Sequence, residues 1–180
     1  PPEAKPELAL RLAQVEASAG DLKAASGTLD KYCREFPRNA ALATALFELR
    51  LEDADENSEP GRDLLSLEDH LKKTYVDAAT WKYYRARRLL KEAAKGENAS
   101  LLEVERLQSE IEGERSTWSA PHLLQALICR QTDRHVAAID ALKRAILLGD
   151  RRPQVFAMLI DSLYREQRFA EASEHLAQMG

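Results

Sequence analysis

The last third of the chain repeats itself with a period of 34 residues, and this self-similarity limits the possible folds more than any other feature of the sequence. Residues 135–145 align with residues 169–179. Equivalent positions in the two copies carry the same residue types, as in the pairs Ala138 and Ala172, and Leu142 and Leu176. A unit of this length holds two short helices that cannot bury their apolar faces alone, so successive units must stack on one another. The period predicts an array of helix pairs.

The first third of the chain carries the same pattern after Gly20. Ala25 and Leu29 follow with the small-then-large spacing seen near the C-terminus. Pro37 is expected to end the second helix, because its ring lacks an N–H and clashes with the preceding helical turn. Gly20 is expected at the turn between the two helices. This segment therefore predicts another helix pair.

These residues resemble the tetratricopeptide repeat (TPR), a family of 34-residue helix–turn–helix units. The resemblance is clear in residues 6–38 and 119–180 and degenerate in residues 39–118, where the turns are longer and the Ala and Pro signatures are missing. It implies an all-α fold, a right-handed α-solenoid of about five helix–turn–helix pairs and so about ten antiparallel helices. We expect one TPR-like domain over residues 1–180. Because the sequence does not begin with Met, we also expect it to be a fragment of a longer chain.

Helix boundaries in the degenerate middle are predicted from capping residues. Asn39 is typical of an N-cap and predicts a helix that runs to about Glu52. Ser100 and Glu103 have the spacing of a capping box and predict the start of a later helix. Pro121 predicts the first turn of the fourth pair, where a proline is tolerated.

Composition and charge exclude several function classes. The chain has 26 basic and 30 acidic residues, closely mixed, with a net charge of −4. Nucleic-acid binding usually needs a basic excess on one face, so we expect no nucleic-acid partner. No apolar run approaches the roughly 18 residues that span a bilayer, so we expect no membrane insertion. The compartment stays open, with a cytoplasmic location favoured, and Cys33 and Cys129 are interpreted as small buried apolar side chains.

Signatures of catalysis are missing from the sequence. It contains no Gly-rich phosphate loop, no His-Glu-x-x-His pair and no Gly-x-Ser-x-Gly elbow. Asp53, Asp55 and Asn57 have the spacing of a calcium loop, but Ser58 and Leu64 stand where that loop needs glycine and glutamate. We therefore expect no enzyme activity, no cofactor and no metal.

A basic and aromatic segment, residues 82–88, has two interpretations. Such a mixture could stack RNA bases or bind an anion. On a helix, however, its side chains point in different directions, which favours a packed and partly solvated helix. By alignment with the family, Tyr84 is expected to be buried and Tyr83 to line the groove.

The resemblance implies a protein–protein interaction scaffold, whose first helices would line a concave groove that binds a peptide or helix of a partner protein. The aligned groove positions that we expect to contact this partner are Lys82, Tyr83, Ala86, Leu123, Leu124, Leu127, Arg130, Ala157, Met158, Asp161 and Tyr164. Two alternatives stay open for this surface and for the protein. Leu123, Leu124 and Leu127 could pack against neighbouring helices instead. The protein could also be a structural module that forms homo-oligomers or continues into further repeats, whereas a helper domain of an enzyme ranks last.

Overall fold

The computed structural model describes residues 4–53, 61–74, 77–94 and 98–177. Ten helices occupy these residues: α1 (Ala4–Ser18), α2 (Leu22–Glu35), α3 (Ala40–Asp53), α4 (Gly61–Thr74), α5 (Ala78–Ala93), α6 (Asn98–Glu114), α7 (Ala120–Gln131), α8 (His135–Leu147), α9 (Pro153–Arg165) and α10 (Phe169–Ala177). No strand is present in the described ranges. The all-α prediction is therefore confirmed.

Side-chain caps and prolines set several of the helix ends. The Asn39 side chain accepts a hydrogen bond from the Leu42 amide at 3.1 Å, which confirms Asn39 as the cap of α3. Asp21 caps α2 in the same way, with 2.9 Å to the amide of Ala24. The second helix ends at Glu35, just before Pro37, and Pro121 lies in the first turn of α7. Both proline predictions are confirmed.

The predicted start of α6, directly after a cap at Ser100, is wrong by three residues. The helix begins at Asn98, so Ser100 lies inside it rather than at its cap. Glu103 binds two guanidinium groups, Arg106 at 2.8 Å and Arg85 of α5 at 3.4 Å. In a capping box, the Glu103 carboxylate would accept a hydrogen bond from a backbone amide. In α6 it binds the two guanidinium groups instead.

The turn inside a helix pair has the same geometry in three places. Gly20, Asp133 and Gln167 all lie in the left-handed region, with φ of 85°, 54° and 57°. At each turn, the next residue donates its amide hydrogen to a carbonyl five residues back, as Asp21 does to Glu16 at 3.0 Å. This is the Schellman ending of a helix. Asp133 and Gln167 are 34 residues apart, so the same turn recurs with the period of the sequence repeat.

The helices group into two compact units, Pro1–Tyr84 and Arg85–Gly180. In the first unit, α1 packs on α2, α2 on α3 and α3 on α4. Its core includes Ala9, Ala13, Ala25, Leu29, Leu42, Leu46, Phe47, Leu64 and Leu71. The alanines of α1 and α2 let these two helices approach closely, which places small residues where the family pattern expects them.

In the second unit each helix from α6 to α10 packs on the next one along the chain. A cluster around α8 and α9 forms its core and includes Leu123, Ile139, Leu142, Ile146, Val155, Leu159, Leu163 and Ala172. These contacts between successive helices are those that the repeat predicts. The single domain over residues 1–180 stays a prediction.

Candidate partner-binding surface

Four of the predicted groove residues are buried inside the chain: Tyr83, Ala86, Leu123 and Leu124. Leu123 belongs to the core of the second unit, and Leu127 packs against the same core as a half-buried residue. The packing alternative therefore describes the leucines of α7 better than an open groove does. A role of these residues in partner binding stays a prediction.

In α5 both neighbouring tyrosines are at least partly buried. Tyr83 is buried, with 3% of its surface exposed, whereas Tyr84 is half-buried. The Tyr84 ring packs edge-on against Phe47 of α3, with 5.1 Å between ring centroids. Trp81 and Tyr84 both pack against the core of the first unit, so Tyr84 faces inward as the alignment predicts.

Two arginines of this segment, Arg85 and Arg88, have acidic partners. Arg88 is buried and donates a hydrogen bond to Glu92 at 2.6 Å. Arg85 lies 3.4 Å from Glu103. Lys82 is half-buried. These pairs favour the interpretation of residues 82–88 as a packed helix over an anion-binding patch.

One exposed face remains among the predicted residues, and it lies on α9. We call it the α9 face and define it as Ala157, Met158, Asp161, Tyr164 and Arg165. Ala157 and Tyr164 are exposed, the latter by 50%, and Met158 and Asp161 are half-buried. Residues three, four and seven positions apart share one side of a helix, so these side chains lie together.

Arg130 of α7 binds three polar groups of α9 beside the α9 face. Its Nη1 donates hydrogen bonds to the backbone oxygen of Met158 at 3.0 Å and to Oγ of Ser162 at 2.9 Å. Its Nη2 lies 2.9 Å from Oδ2 of Asp161. One guanidinium thus joins three groups of α9, and two successive first helices form a continuous surface.

Asp161 lies between two cationic groups. Arg165, one helical turn further along, approaches its Oδ2 at 3.3 Å. Burial by itself would raise the pKa of Asp161, but the hydrogen bonds and charges of Arg130 and Arg165 outweigh it and lower the pKa. The carboxylate therefore stays ionised. The three side chains of Arg130, Asp161 and Arg165, which we call the triad, together carry one net positive charge.

An aromatic pair extends the α9 face at its C-terminal end. Tyr164 packs edge-on against Phe169, the first residue of α10, with ring centroids 5.3 Å apart. Both rings stay about half exposed. Exposed aromatic rings with an apolar body and a restricted geometry are typical anchors of protein interfaces.

Three residues of this surface are absent from the sequence-based prediction: Ser162, Arg165 and Phe169. Ser162 is fully buried in a stripe that is otherwise apolar, and a lone polar residue in such a stripe is a signal for a buried polar contact. Phe169 follows the left-handed turn at Gln167, so its contact with Tyr164 depends on how the chain reverses there.

The described residues contain no group of three or more His, Cys, Asp or Glu side chains that could hold a metal ion. The spacing typical of a calcium loop lies mostly outside them, since Asp55 and Asn57 are not among the described residues. Among the described helices, none is both long enough and apolar enough to cross a membrane.

Solved structures with the same arrangement of helices identify the fold. TTC0263, a thermophilic TPR protein of Thermus thermophilus, matches with a TM-score of 0.71 over 96% of this chain and 89% of its own, at 17% identity. The chain has the tetratricopeptide repeat fold. MamA from Desulfovibrio magneticus RS-1 is a more distant match, with a TM-score of 0.50 over 97% of this chain and 93% of its own, at 13% identity.

The TPR fold confirms the predicted resemblance and the α-solenoid class. No model of a protein family matches the sequence, and no curated protein matches it either. At such low identities the similarity to the solved structures concerns the fold alone. What the TPR fold binds in this protein has to be argued from its own surface.

Proposed function

We propose that this protein is an interaction scaffold that binds a peptide or helix of a partner protein on the α9 face. TPR arrays present extended surfaces built from successive helices, and a preformed surface loses little entropy when a flexible segment binds to it. The observation that carries the proposal is the exposed pair Tyr164 and Phe169 beside the triad that Arg130 holds in place.

The chemistry of the α9 face indicates what the bound segment contains. Tyr164, Phe169 and Met158 offer apolar contact area, which fits an apolar side chain of the partner. Arg165 is 55% exposed and carries the charge that Asp161 does not neutralise. An apolar residue next to an acidic one is therefore the expected signature of the bound segment.

The test is a selection of peptides from a displayed random library on the immobilised protein, followed by titration of the enriched peptides. Tyr164→Glu should weaken their binding roughly thirtyfold, because loss of a central aromatic contact at an interface costs about 2 kcal/mol. This position is more suitable than Leu127 or Met158, since both of those side chains pack against the core of the second unit.

Leu147→Glu is the matched control. Leu147 lies on α8 with 83% of its surface exposed, so the variant makes a comparable change away from the α9 face. Peptide binding that Leu147→Glu preserves and Tyr164→Glu weakens supports the proposal. Equal affinities of both variants and the unchanged protein would remove it, and so would the failure of any peptide to be enriched.

A further inference from the structure

A cavity opens beside the turn that follows the α9 face. Its volume is about 400 Å³, and its wall combines the start of α8 with Glu166, the residue after Arg165. The α8 side of the wall includes Asp133, Val136 and Asp140, and we call this space the α8 cavity. Its size is at the small end of ligand pockets and fits one side chain of a partner better than a cofactor.

Carboxylates dominate the charge of the α8 cavity. Asp133, Asp140 and Glu166 outnumber the one guanidinium in the wall, that of Arg134. Arg134 donates through Nε to Oγ1 of Thr132 at 2.9 Å. In the described part of the chain, no hydrogen bond or ion pair engages the side chain of Asp140 or Glu166. An excess of negative charge in a recess attracts a cation.

The charges of two of these carboxylates reach Arg168, at the start of the last helix pair's second helix. Its hydrogen bond to Glu171, followed by the charges of Glu171, Asp140 and Glu166, raises the pKa of the Arg168 guanidinium although burial opposes this. The hydrogen bond of its Nε goes to Glu171 at 2.6 Å. Asp140 and Glu166 therefore produce a negative potential at one place without binding the nearest cation.

A polar atom of the wall also has no partner. Nδ1 of His135 is buried and makes no hydrogen bond among the described residues. Nε2 of the same ring lies 3.7 Å from Oδ1 of Asp133, so a neutral ring carries its proton there and leaves Nδ1 as the acceptor. A buried acceptor without a donor costs free energy, so this wall is suited to a ligand that brings N–H groups.

We propose that the α8 cavity binds an arginine side chain of the segment that occupies the α9 face, an inference that rests on the proposed function. A guanidinium carries five N–H donors in a planar fork and can bind more than one carboxylate. Its aliphatic stem matches Val136, which is 54% exposed. Glu166 follows Tyr164 by two residues, which span at most about 7 Å, so one short segment can reach both.

The peptides selected on the immobilised protein test this assignment. Arginine should be enriched at a fixed spacing from their apolar residue. Replacing it by citrulline, which has nearly the same shape without the charge, should weaken binding roughly tenfold, because a charged hydrogen-bonded contact is lost. Asp140→Asn should weaken binding of the arginine peptide by a similar factor. In Asp140→Asn, citrulline should cost little more, since both changes remove one contact.

Glu105→Gln is the matched control, because Glu105 is exposed on α6 and the variant removes one negative charge outside the cavity wall. It should bind the arginine peptide like the unchanged protein. A citrulline penalty of equal size in Asp140→Asn and in the unchanged protein would overturn the proposal. Enrichment of an acidic residue at that spacing would overturn it too, since the first turn of α8 would then bind an anion.

The variants separate this proposal from the proposed function. Peptides that lose affinity in Tyr164→Glu but not in Asp140→Asn support the α9 face and remove the arginine site. Loss in Asp140→Asn alone would remove the α9 face and keep the cavity as a site for arginine. Loss in neither variant, or the failure of any peptide to be enriched, would overturn both.

Discussion

Arg130 and Ser162 lie 32 residues apart in sequence, yet the guanidinium of the first donates a hydrogen bond to the buried hydroxyl oxygen of the second at 2.9 Å. Ser162 in turn donates to the backbone oxygen of Met158 at 2.9 Å. The same guanidinium binds Asp161. This contact couples the position of the α9 face to the packing of α7.

Replacement of Arg130 should therefore lower stability more than replacement of a surface arginine. We expect Arg130→Gln to reduce the free energy of unfolding by about 1–2 kcal/mol, because it removes charged hydrogen bonds to a buried serine and a backbone oxygen. Arg165→Gln, which removes an exposed ion pair with the same Asp161, should cost about 0.5 kcal/mol or less. Urea denaturation of both variants measures the difference. Equal losses would show that the contact with Ser162 contributes nothing.

The left-handed turns offer a way to change stability without touching the core. Asp133 and Gln167 hold a conformation that costs a side-chain-bearing residue about 1 kcal/mol relative to glycine. Gln167→Gly should raise the free energy of unfolding by roughly 0.5–1 kcal/mol, and Gly20→Ala should lower it by about 1 kcal/mol. Thermal unfolding of the two variants checks both signs. A Gly20→Ala protein as stable as the original would contradict the turn geometry.

Glu171 makes α10 sensitive to acid. Its carboxylate lies 2.6 Å from both Arg168 and Lys143 of α8, and these hydrogen bonds lower its pKa to about 2 from the ordinary 4.5. The folded state therefore holds this proton more weakly than the unfolded chain does. The stabilisation is complete above pH 4.5 and is lost as the pH falls towards 2.

Unfolding measured between neutral and acidic pH tests this assignment. Glu171→Gln should be less stable than the unchanged protein at neutral pH. The difference between their free energies of unfolding, the gap, should narrow as the pH falls. Glu174→Gln, an exposed position on the same helix, controls for the change in net charge. A gap that stays constant with pH would mean that Glu171 does not stabilise the fold through its charge.

Cys33 should be a slow thiol. Burial, reinforced by the charge of Asp30, raises its pKa to about 11, so little thiolate exists at neutral pH. We expect its reaction with a disulfide reagent at pH 8 to be roughly a hundredfold slower than that of an unperturbed cysteine. Cys129, fully buried, should react only after denaturant is added. Rapid labelling of either thiol in the native protein would contradict this.

The sequence predicts α9 better than α7, and the difference has a physical reason. The exposed phase of α9, with Ala157 and Tyr164 outward, follows from the 34-residue alignment because one side of this helix stays open to solvent. The same alignment places Leu123 and Leu124 on the corresponding side of α7, where they are buried. Neighbours enclose α7, since α6 and α8 pack on it and Arg130 ties it to α9. A helix with apolar residues on all sides signals such enclosure, whereas alignment alone does not.

Among the helix ends, too, some are predictable from the sequence and others depend on tertiary contacts. Asn39 and Pro37 act through neighbours in sequence, so their roles are predictable from the chain itself. Glu103 binds Arg106, three residues along the same helix, and Arg85 of α5, and only the contact with Arg85 depends on tertiary structure. The contact between Tyr164 and Phe169 likewise depends on the turn that reverses the chain.

A map of backbone amide chemical shifts on addition of a library-selected peptide tests the α9 face most directly. We expect the largest shift changes at residues 157–165, with smaller ones at Arg130 and Phe169. Changes confined to α1 and α10, or centred on Leu147 of α8, would contradict the proposal that the α9 face binds the partner.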